Sequence, residues 1–338
     1  MRSLIALALA VAALAVVPAG ASAAAYKAPH GKVLWGGQGG YSRGDIQDFA
    51  RQSGLHPALY NYFISWNGSD SALHWLSFRL ADAKAEDSAV MLSLSPEEIR
   101  LTPGDLARGE GDAFLIALNQ LIFEAAVVTY LRPLSEMNNG NNPYSAYDLM
   151  GRSRGPAYST RQFIRAWRRI ALIMRGGPLA VINRKLRRLH MLRVRTSLEM
   201  LPRAPVALMW VPLSFGNPEI PKNHPRYWWP GCGYVDWVGT TWYSMYKASA
   251  AMDRVYNYPL WRCKPFAFAE WGIWGRDDPA FVRQFFKFVR FHRRVRMAVY
   301  YQSASLKPEF RISTHPLSRA ALRRALKWRR MTGVAPIL

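Results

Sequence analysis

The sequence predicts an α/β protein, a single-domain (β/α)8 TIM barrel. Three observations lead there. The 338 residues suffice for one large barrel with insertions. Short apolar runs alternate with polar or glycine-rich turns and helix-like stretches, the pattern of parallel βα units. The runs are continuous rather than alternating, as suits strands covered on both faces. Composition agrees: 50% hydrophobic and 13% aromatic residues exclude disorder, and two cysteines exclude a small disulfide framework.

Taken in order, the chain opens on a short basic start at Arg2 and an apolar run over 4–17. Pro18 and Gly20 break the run, and Ala21, Ser22 and Ala23 fit a small-residue cleavage site. A signal peptide over 1–23 is expected. A membrane anchor is the lesser reading, because the run is shorter than the roughly 20 apolar residues a spanning helix needs. Cleavage near Ala23 would leave 315 residues. The expected product is secreted, extracellular and monomeric, with no transmembrane segment. The barrel is expected over 31–338.

Eight strands are expected to begin near Val33, Ala58, Ala89, Val127, Val206, Tyr234, Pro265 and Arg296. Ser159 and Gln162 read as a capping box opening a helix. Its buried face would be Phe163, Ile164, Trp167, Ile170, Ala171 and Met174, with Gly176, Gly177 and Pro178 as its stop. Asp278 and Pro279 start another helix, buried through Phe281, Val282, Phe285, Phe288 and Val289. A final helix is expected over 318–331, with Ala320, Leu322, Leu326 and Trp328 facing the barrel. The fourth and fifth strand starts lie 79 residues apart, which leaves room for an insertion around 176–203. Residues 214–233 are rich in proline and glycine and read as a loop.

Barrels carry their chemistry at the C-terminal ends of the strands. Arg132, Ser135, Glu136 and Asn138 end strand four. Strand five carries Trp210, strand six ends in Trp242 and Tyr243, and strand seven in Glu270 and Trp271. Two glutamates at one mouth, among aromatic rings, suit glycoside hydrolysis, which needs two carboxyls. Glu136 also has a plainer role open to it, a structural carboxylate paired with Arg132. Trp35, Trp75, Trp167 and Trp237 read as packing, and Asp236 and Asp253 as structural hydrogen-bonders or caps. Gly36, Gly37, Gln38, Gly39 and Gly40 lack the Lys-Ser/Thr of a phosphate loop and read as the first loop of the cleft.

These segments resemble a known family. LRPLSEMNNG is similar to the strand-four motif of glycoside hydrolase family 26, the β-mannanase-type barrels. YWWPGCGYVDWVGTTWYS resembles its segment leading into strand six, and KPFAFAEWG its strand-seven motif. The resemblance runs over about 34–302. It implies Glu136 as acid/base, Glu270 as nucleophile, Tyr243 as hydrogen-bond donor to the nucleophile and Arg132 as the core arginine. Three positions depart from the family: Ser135 stands where it has His, Asn141 where it has Trp, and Tyr144 replaces a further aromatic, usually Trp.

The expected function is retaining hydrolysis of a β-linked polysaccharide, mannan-like or mixed-linkage glucan, by an endo-acting enzyme without cofactor or metal. Substrate contacts are expected from Arg132, Asn138, Tyr144, Trp210, Trp242, Tyr243, Trp271 and Trp274. The alternatives are a weakened barrel that binds a cell-wall glycan, and a transglycosylase. Arg132 is expected to face Glu270 more closely than Glu136, since otherwise it would oppose the raised pKa an acid needs.

The net charge is +23. It reads as a solvated outer surface or as adhesion to an anionic cell-envelope polymer. Between 149 and 198 stand 13 Lys or Arg and no acid. Residues 183–195 are expected to be an exposed, mostly helical excursion away from the catalytic pair. No nucleic-acid motif is present, and none is expected to bind. Cys232 and Cys263 each precede a strand start. Neighbouring strands lie about 4.8 Å apart, so a Cys232–Cys263 disulfide at the bottom of the barrel is expected.

Overall fold

The computed structural model describes residues 26–66, 70–96, 101–246, 248–303 and 309–338. The expected signal segment lies outside the described residues.

All eight expected strands form, in order: β1 (Val33–Gln38), β2 (Leu59–Ser65), β3 (Ala89–Ser95), β4 (Thr129–Pro133), β5 (Val206–Trp210), β6 (Trp237–Tyr243), β7 (Phe266–Gly272) and β8 (Val295–Tyr300). Each pairs in parallel with the next. β1 closes on β8 with Leu34 opposite Met297 and Gly37 opposite Tyr300. The barrel is therefore a complete (β/α)8 cylinder. Two strands begin later than expected: Val127 precedes β4, and Tyr234 lies in the 3-10 turn Cys232–Tyr234.

The helices are α1 (Arg43–Ser53), α2 (Asp70–Ala85), α3 (Pro103–Arg108), α4 (Asp112–Ala125), α5 (Thr160–Met174), α6 (Leu179–Arg188), α7 (Ser249–Asn257), α8 (Pro279–Phe291) and α9 (Pro316–Leu326). Ser42 with Asp45, and Thr102 with Asp105, form capping boxes that open α1 and α3. At α5 the Ser159 hydroxyl accepts from the Gln162 amide, the Ser159 half of the expected box. Gly176, at φ +63°, follows that helix. Asp278 caps α8, whose expected apolar face is buried together with Phe286. No helix among the described residues is long and apolar enough to cross a membrane. The segment after β5 carries only short 3-10 turns, as its proline and glycine content predicts.

Strand alternation divides the core into two shells. Leu34, Leu59, Met91, Tyr130, Met209, Trp237, Ala267 and Met297 fill the barrel interior. Val33, Trp35, Tyr60, Leu92, Leu131, Trp210, Trp242 and Phe268 face outward to the helices. Tyr130 and Trp237 meet edge to face, centroids 5.6 Å apart, among the interior side chains. Buried Asn61, Ser93 and Arg132 lie further along the same inner faces, and the Ser93 hydroxyl donates to Asn61 Oδ1 at 3.0 Å.

β7 breaks this alternation. Its register against both neighbours slips by one residue around Ala269 and Glu270. The extra residue is a β-bulge, which re-aims the side chains that follow it. Ala269 belongs to the interior shell and Trp271 to the outer one. Glu270 lies between them and reaches the mouth of the barrel.

The insertion starts where α5 ends. Gly177–Pro178 pairs antiparallel with Met200–Leu201, closing it into a stalk. Only its first part is helical: α6 stops at Arg188, and 189–198 is irregular, which corrects the expectation of a mostly helical excursion. It is exposed, as expected, but anchored by buried Ile182, Leu186, Met191 and Val194.

The final helix is shorter than expected. It ends at Leu326, because Met331–Thr332 instead pairs in parallel with the start of β1. Ala320 is exposed, while Leu322 and Leu326 are buried. Trp328 packs between the guanidinium groups of Arg290 and Arg330.

The cysteines are neighbours but not bonded. Their sulfurs are 3.6 Å apart and both thiols are exposed and free, so the expected disulfide is not formed here. Both residues lie in the turns that precede β6 and β7 rather than on paired strand ends, so strand spacing does not fix their separation.

Candidate active site

β4 delivers Arg132 to the interior, and the chain then turns sharply. Leu134 and Glu136 both adopt φ of +51°, a left-handed conformation that costs a non-glycine residue of the order of 1 kcal/mol or more. The turn is pinned from across the mouth: the Glu136 amide donates to Val211 O at 2.7 Å. Asn138 holds the same turn. It is fully buried, its side-chain amide donates to Leu213 O and Phe215 O, and its Oδ1 accepts from the Leu213 amide. Asn138 therefore clamps the loop after β5 and does not line the cleft, which corrects its expected role.

The two carboxyls are held differently. Glu270 Oε1 accepts from Arg132 Nη1 at 2.6 Å, and its Oε2 accepts from the Tyr243 hydroxyl at 2.5 Å. Arg132 is itself buried, with its Nε donating to Ser135 Oγ at 2.9 Å. Each oxygen of Glu270 thus has its own donor. Burial and the charge of Glu270 push the Tyr243 pKa well above the ordinary phenol value, so Tyr243 stays a donor. Tyr301 is pushed up to about 12, by burial first and then by Glu270.

Glu136 is half-buried. Its Oε1 accepts from Thr241 Oγ1 at 2.9 Å and its Oε2 from Asn139 Nδ2 at 3.1 Å. Burial raises its pKa, and the neighbouring charge of Glu270 raises it further. The bonds from Asn139 and Thr241 and the more distant Arg132 oppose the rise without cancelling it. As expected, Arg132 binds Glu270 directly. Glu270 is thus held by two donors, Arg132 and Tyr243, while Glu136 is biased towards the acid, an unequal pair of the kind that acid–base chemistry by two carboxyls uses.

Both carboxyls line one open cleft of about 420 Å³, with Arg132, Ser135, Asn142, Tyr144, Ser93 and Tyr301 among its walls. The Tyr144 hydroxyl donates to Ser135 O at 2.6 Å, so its ring is fixed against the turn that carries Glu136. Phe63 forms the rim and is 46% exposed. Beyond it lies a second hollow of about 300 Å³, lined by Gln38, Gly39, Gly40, Asn61, Trp75 and Gln302 among others. The glycine loop is thus part of the mouth, as expected. A Cβ on Gly39 would fall 2.2 Å from the Tyr62 ring, so the close approach requires glycine there.

Three expected sugar-contacting tryptophans are elsewhere. Trp210, Trp242 and Trp271 are buried in the outer shell. Trp271 stacks on Phe285 at 3.8 Å between centroids, Trp242 packs among Phe268, Phe281, Phe285 and Phe288, and Trp210 packs on Trp229 and Trp261. Side chains alternate along a strand, so Trp242 next to Tyr243 points away from the cleft, and at β7 the bulge turns Trp271 outward. Trp274, past the end of β7, is partly exposed and meets the Tyr243 ring edge-on at 5.5 Å. It is not among the residues that line the cleft or the adjoining hollow. Sequence reasoning missed Phe63, Tyr301, Thr241 and Asn139, and gave Trp75 no role. Thr241 was accessible from alternation, lying two residues before Tyr243 on the same face. Asp236 and Asp253 are structural, as expected, bonded to Arg175 and the Leu208 amide and to His292. No cluster of three potential metal ligands occurs among the described residues.

No protein-family model matches the sequence, and no curated protein matches it. Solved structures do. An endo-β-1,4-mannanase double mutant from Cellulomonas fimi superposes with a TM-score of 0.61 at 16% identity, over 89% of this chain and 71% of that one. A mannanase from Bacillus subtilis gives 0.58 at 16% identity, over 90% and 87%. A family 26 β-mannanase from Bacteroides ovatus gives 0.58 at 13% identity, over 90% and 91%. The chain therefore has the fold of the glycoside hydrolase family 26 β-mannanases, a single (β/α)8 barrel matched along nearly all of its length.

Proposed function

We propose that the protein is a retaining glycoside hydrolase acting on a β-linked, mannan-type polysaccharide. The observation that carries this reading is the unequal pair in one cleft: Glu270 hydrogen-bonded by Arg132 and Tyr243, and Glu136 biased towards the acid. A Glu270 oxygen attacks the anomeric carbon as the bond to the leaving oxygen breaks, and Glu136 gives that oxygen its proton. Glu136, now a carboxylate, takes a proton from water, whose oxygen displaces Glu270 and frees the sugar. The Phe63 rim and the adjoining hollow extend the groove beyond the glutamates, which favours an internal stretch of polymer as substrate. The nearby solved mannanases favour mannan over other β-glycans.

The test is a panel of β-mannan, mixed-linkage β-glucan and xylan, with Glu270→Ala as control. Mannan hydrolysis lost in the variant is expected. With Glu136→Ala, an aryl glycoside with a good leaving group should still react in its first step, and added azide should speed breakdown of the intermediate. Retention on mannan with no turnover on any substrate would point to a binding barrel instead. Sugar transfer outpacing hydrolysis would mark a transglycosylase. The reading extends to an exported chain cleaved near Ala23. In an oxidising compartment Cys232 and Cys263, whose sulfurs are 3.6 Å apart, would close to a disulfide. N-terminal sequencing and non-reduced peptide mapping of the exported protein test both.

A further inference from the structure

We infer that the insertion between α5 and β5 is a docking surface for an anionic lipid bilayer, presented on the outer flank of the barrel alongside α5. α5 runs from the mouth of the barrel back to the strand starts, and the stalk Gly177–Pro178 with Met200–Leu201 closes where α5 ends and shortly before β5 begins. No residue of this insertion lines the catalytic cleft.

The module is held rigidly. The side chain of Arg165 donates to His190 O, Arg169 Nη1 donates to Leu192 O, and Asn183 bonds the backbone of Val194 in both directions. Ile182 and Leu186 anchor α6 from below. It displays outward Arg184, Lys185, Arg187, Arg188, Arg193 and Arg195, all exposed, against one exposed acid, Glu199. No carboxylate pairs with any of the six among the described residues. Elsewhere on the β4–β5 connection, Arg152, Arg169 and Arg175 do have acid partners. Arg154, Arg165 and Arg168 on the same connection also lack an acid partner among the described residues, but they donate to backbone carbonyls.

Charge alone would suit any polyanion. The apolar side chains decide between them. Leu192, Leu198 and Met200 are 59%, 44% and 62% exposed on the same module. A soluble acidic polysaccharide offers nothing to cover them, whereas the boundary between headgroups and acyl chains does. Residues 176–203 contain no Phe, Tyr or Trp, so the base-stacking platform of a single-stranded nucleic-acid site is missing.

The test is co-sedimentation of the full-length protein with vesicles of phosphatidylcholine alone, and with equimolar phosphatidylglycerol. Binding is expected only to the anionic vesicles and should weaken steeply between about 50 and 200 mM salt. Each cation lost near such a surface lowers partitioning about fivefold, so R184Q/K185Q/R187Q/R188Q should lower it several hundred-fold. The triple variant L192S/L198S/M200S should also lose binding while keeping all the charge. Unchanged melting temperatures keep both variants interpretable, since every altered side chain is exposed. Failure of the wild type to bind anionic vesicles would overturn the inference. So would full binding by the triple variant, and tighter retention on polygalacturonate than on vesicles would reassign the surface to an acidic polysaccharide.

Discussion

Replacing Thr241 by Val removes one hydroxyl from the candidate acid/base and little else, because the two side chains are nearly isosteric. The Thr241 hydroxyl donates to Glu136 Oε1 at 2.9 Å, and the Asn139 amide serves the other oxygen. A hydrogen bond to a charged group contributes about 1.5–3 kcal/mol, and one to a neutral acceptor about 1. The difference is what the carboxylate loses relative to the acid. At about 1.36 kcal/mol per pKa unit, and with Glu136 only half-buried, the shift is about 1 unit. Its sign is upward, adding to the rise already caused by burial and by Glu270. The alkaline limb of the kcat/KM profile follows loss of the general-acid proton. It should therefore move up by about 1 unit in Thr241→Val and stay in place in Thr241→Ser. A limb that stays put in Thr241→Val, or moves down, would refute the assignment of Glu136 as the acid whose proton Thr241 tunes.

Other outcomes follow from the same geometry. Glu136 has a folded pKa above its unfolded value, so its native carboxylate costs stability that grows as pH rises past about 4.3. Glu136→Gln should melt higher than wild type at pH 7, and the gain should vanish below about pH 4 in thermal melts. Glu270→Ala should do the reverse, losing about 3–5 kcal/mol because buried Arg132 is left uncompensated, besides abolishing turnover. Trp271→Ala should cost about 3–5 kcal/mol in denaturant unfolding, as befits a ring stacked on Phe285 in the core. Phe63→Ala, at the exposed rim, should raise KM for polymer with little loss of stability.

The barrel was legible because each strand is a buried apolar run between strong turn signals, and eight such runs with helices between them leave few other topologies. Helix starts were legible for a similar reason. Asp278 before Pro279 and Ser159 before an apolar stripe are local chemistry that tertiary context did not override. Local signals failed where a distant partner decided the structure. Met331 reads as the end of a helix, but Met331 and Thr332 pair with Val33 and Leu34, the first residues of β1, which lie ahead of its pairing with β2. The basic run over 183–195 reads as helix by composition. Past Arg188 its backbone is irregular, held where Asn183 bonds Val194 and Arg169 bonds Leu192 O and Arg193 O.

The site shows why motif reading found the glutamates yet misplaced the tryptophans. A motif names neighbours in sequence, but a strand sends neighbours to opposite faces. At β6 simple alternation suffices: Thr241 and Tyr243 face the mouth, so Trp242 must face the helices. At β7 alternation from the interior residues Ala267 and Ala269 would give the opposite of what is seen, putting Trp271 in the cleft and Glu270 outside. The one-residue bulge reverses that, and it is visible only in the register against β6 and β8. A carboxylate facing the apolar outer shell would be left without Arg132 and Tyr243, whereas Trp271 finds Phe285 there. The bulge therefore lets both side chains reach compatible surroundings, and it places the nucleophile candidate opposite Thr241, the donor to the acid.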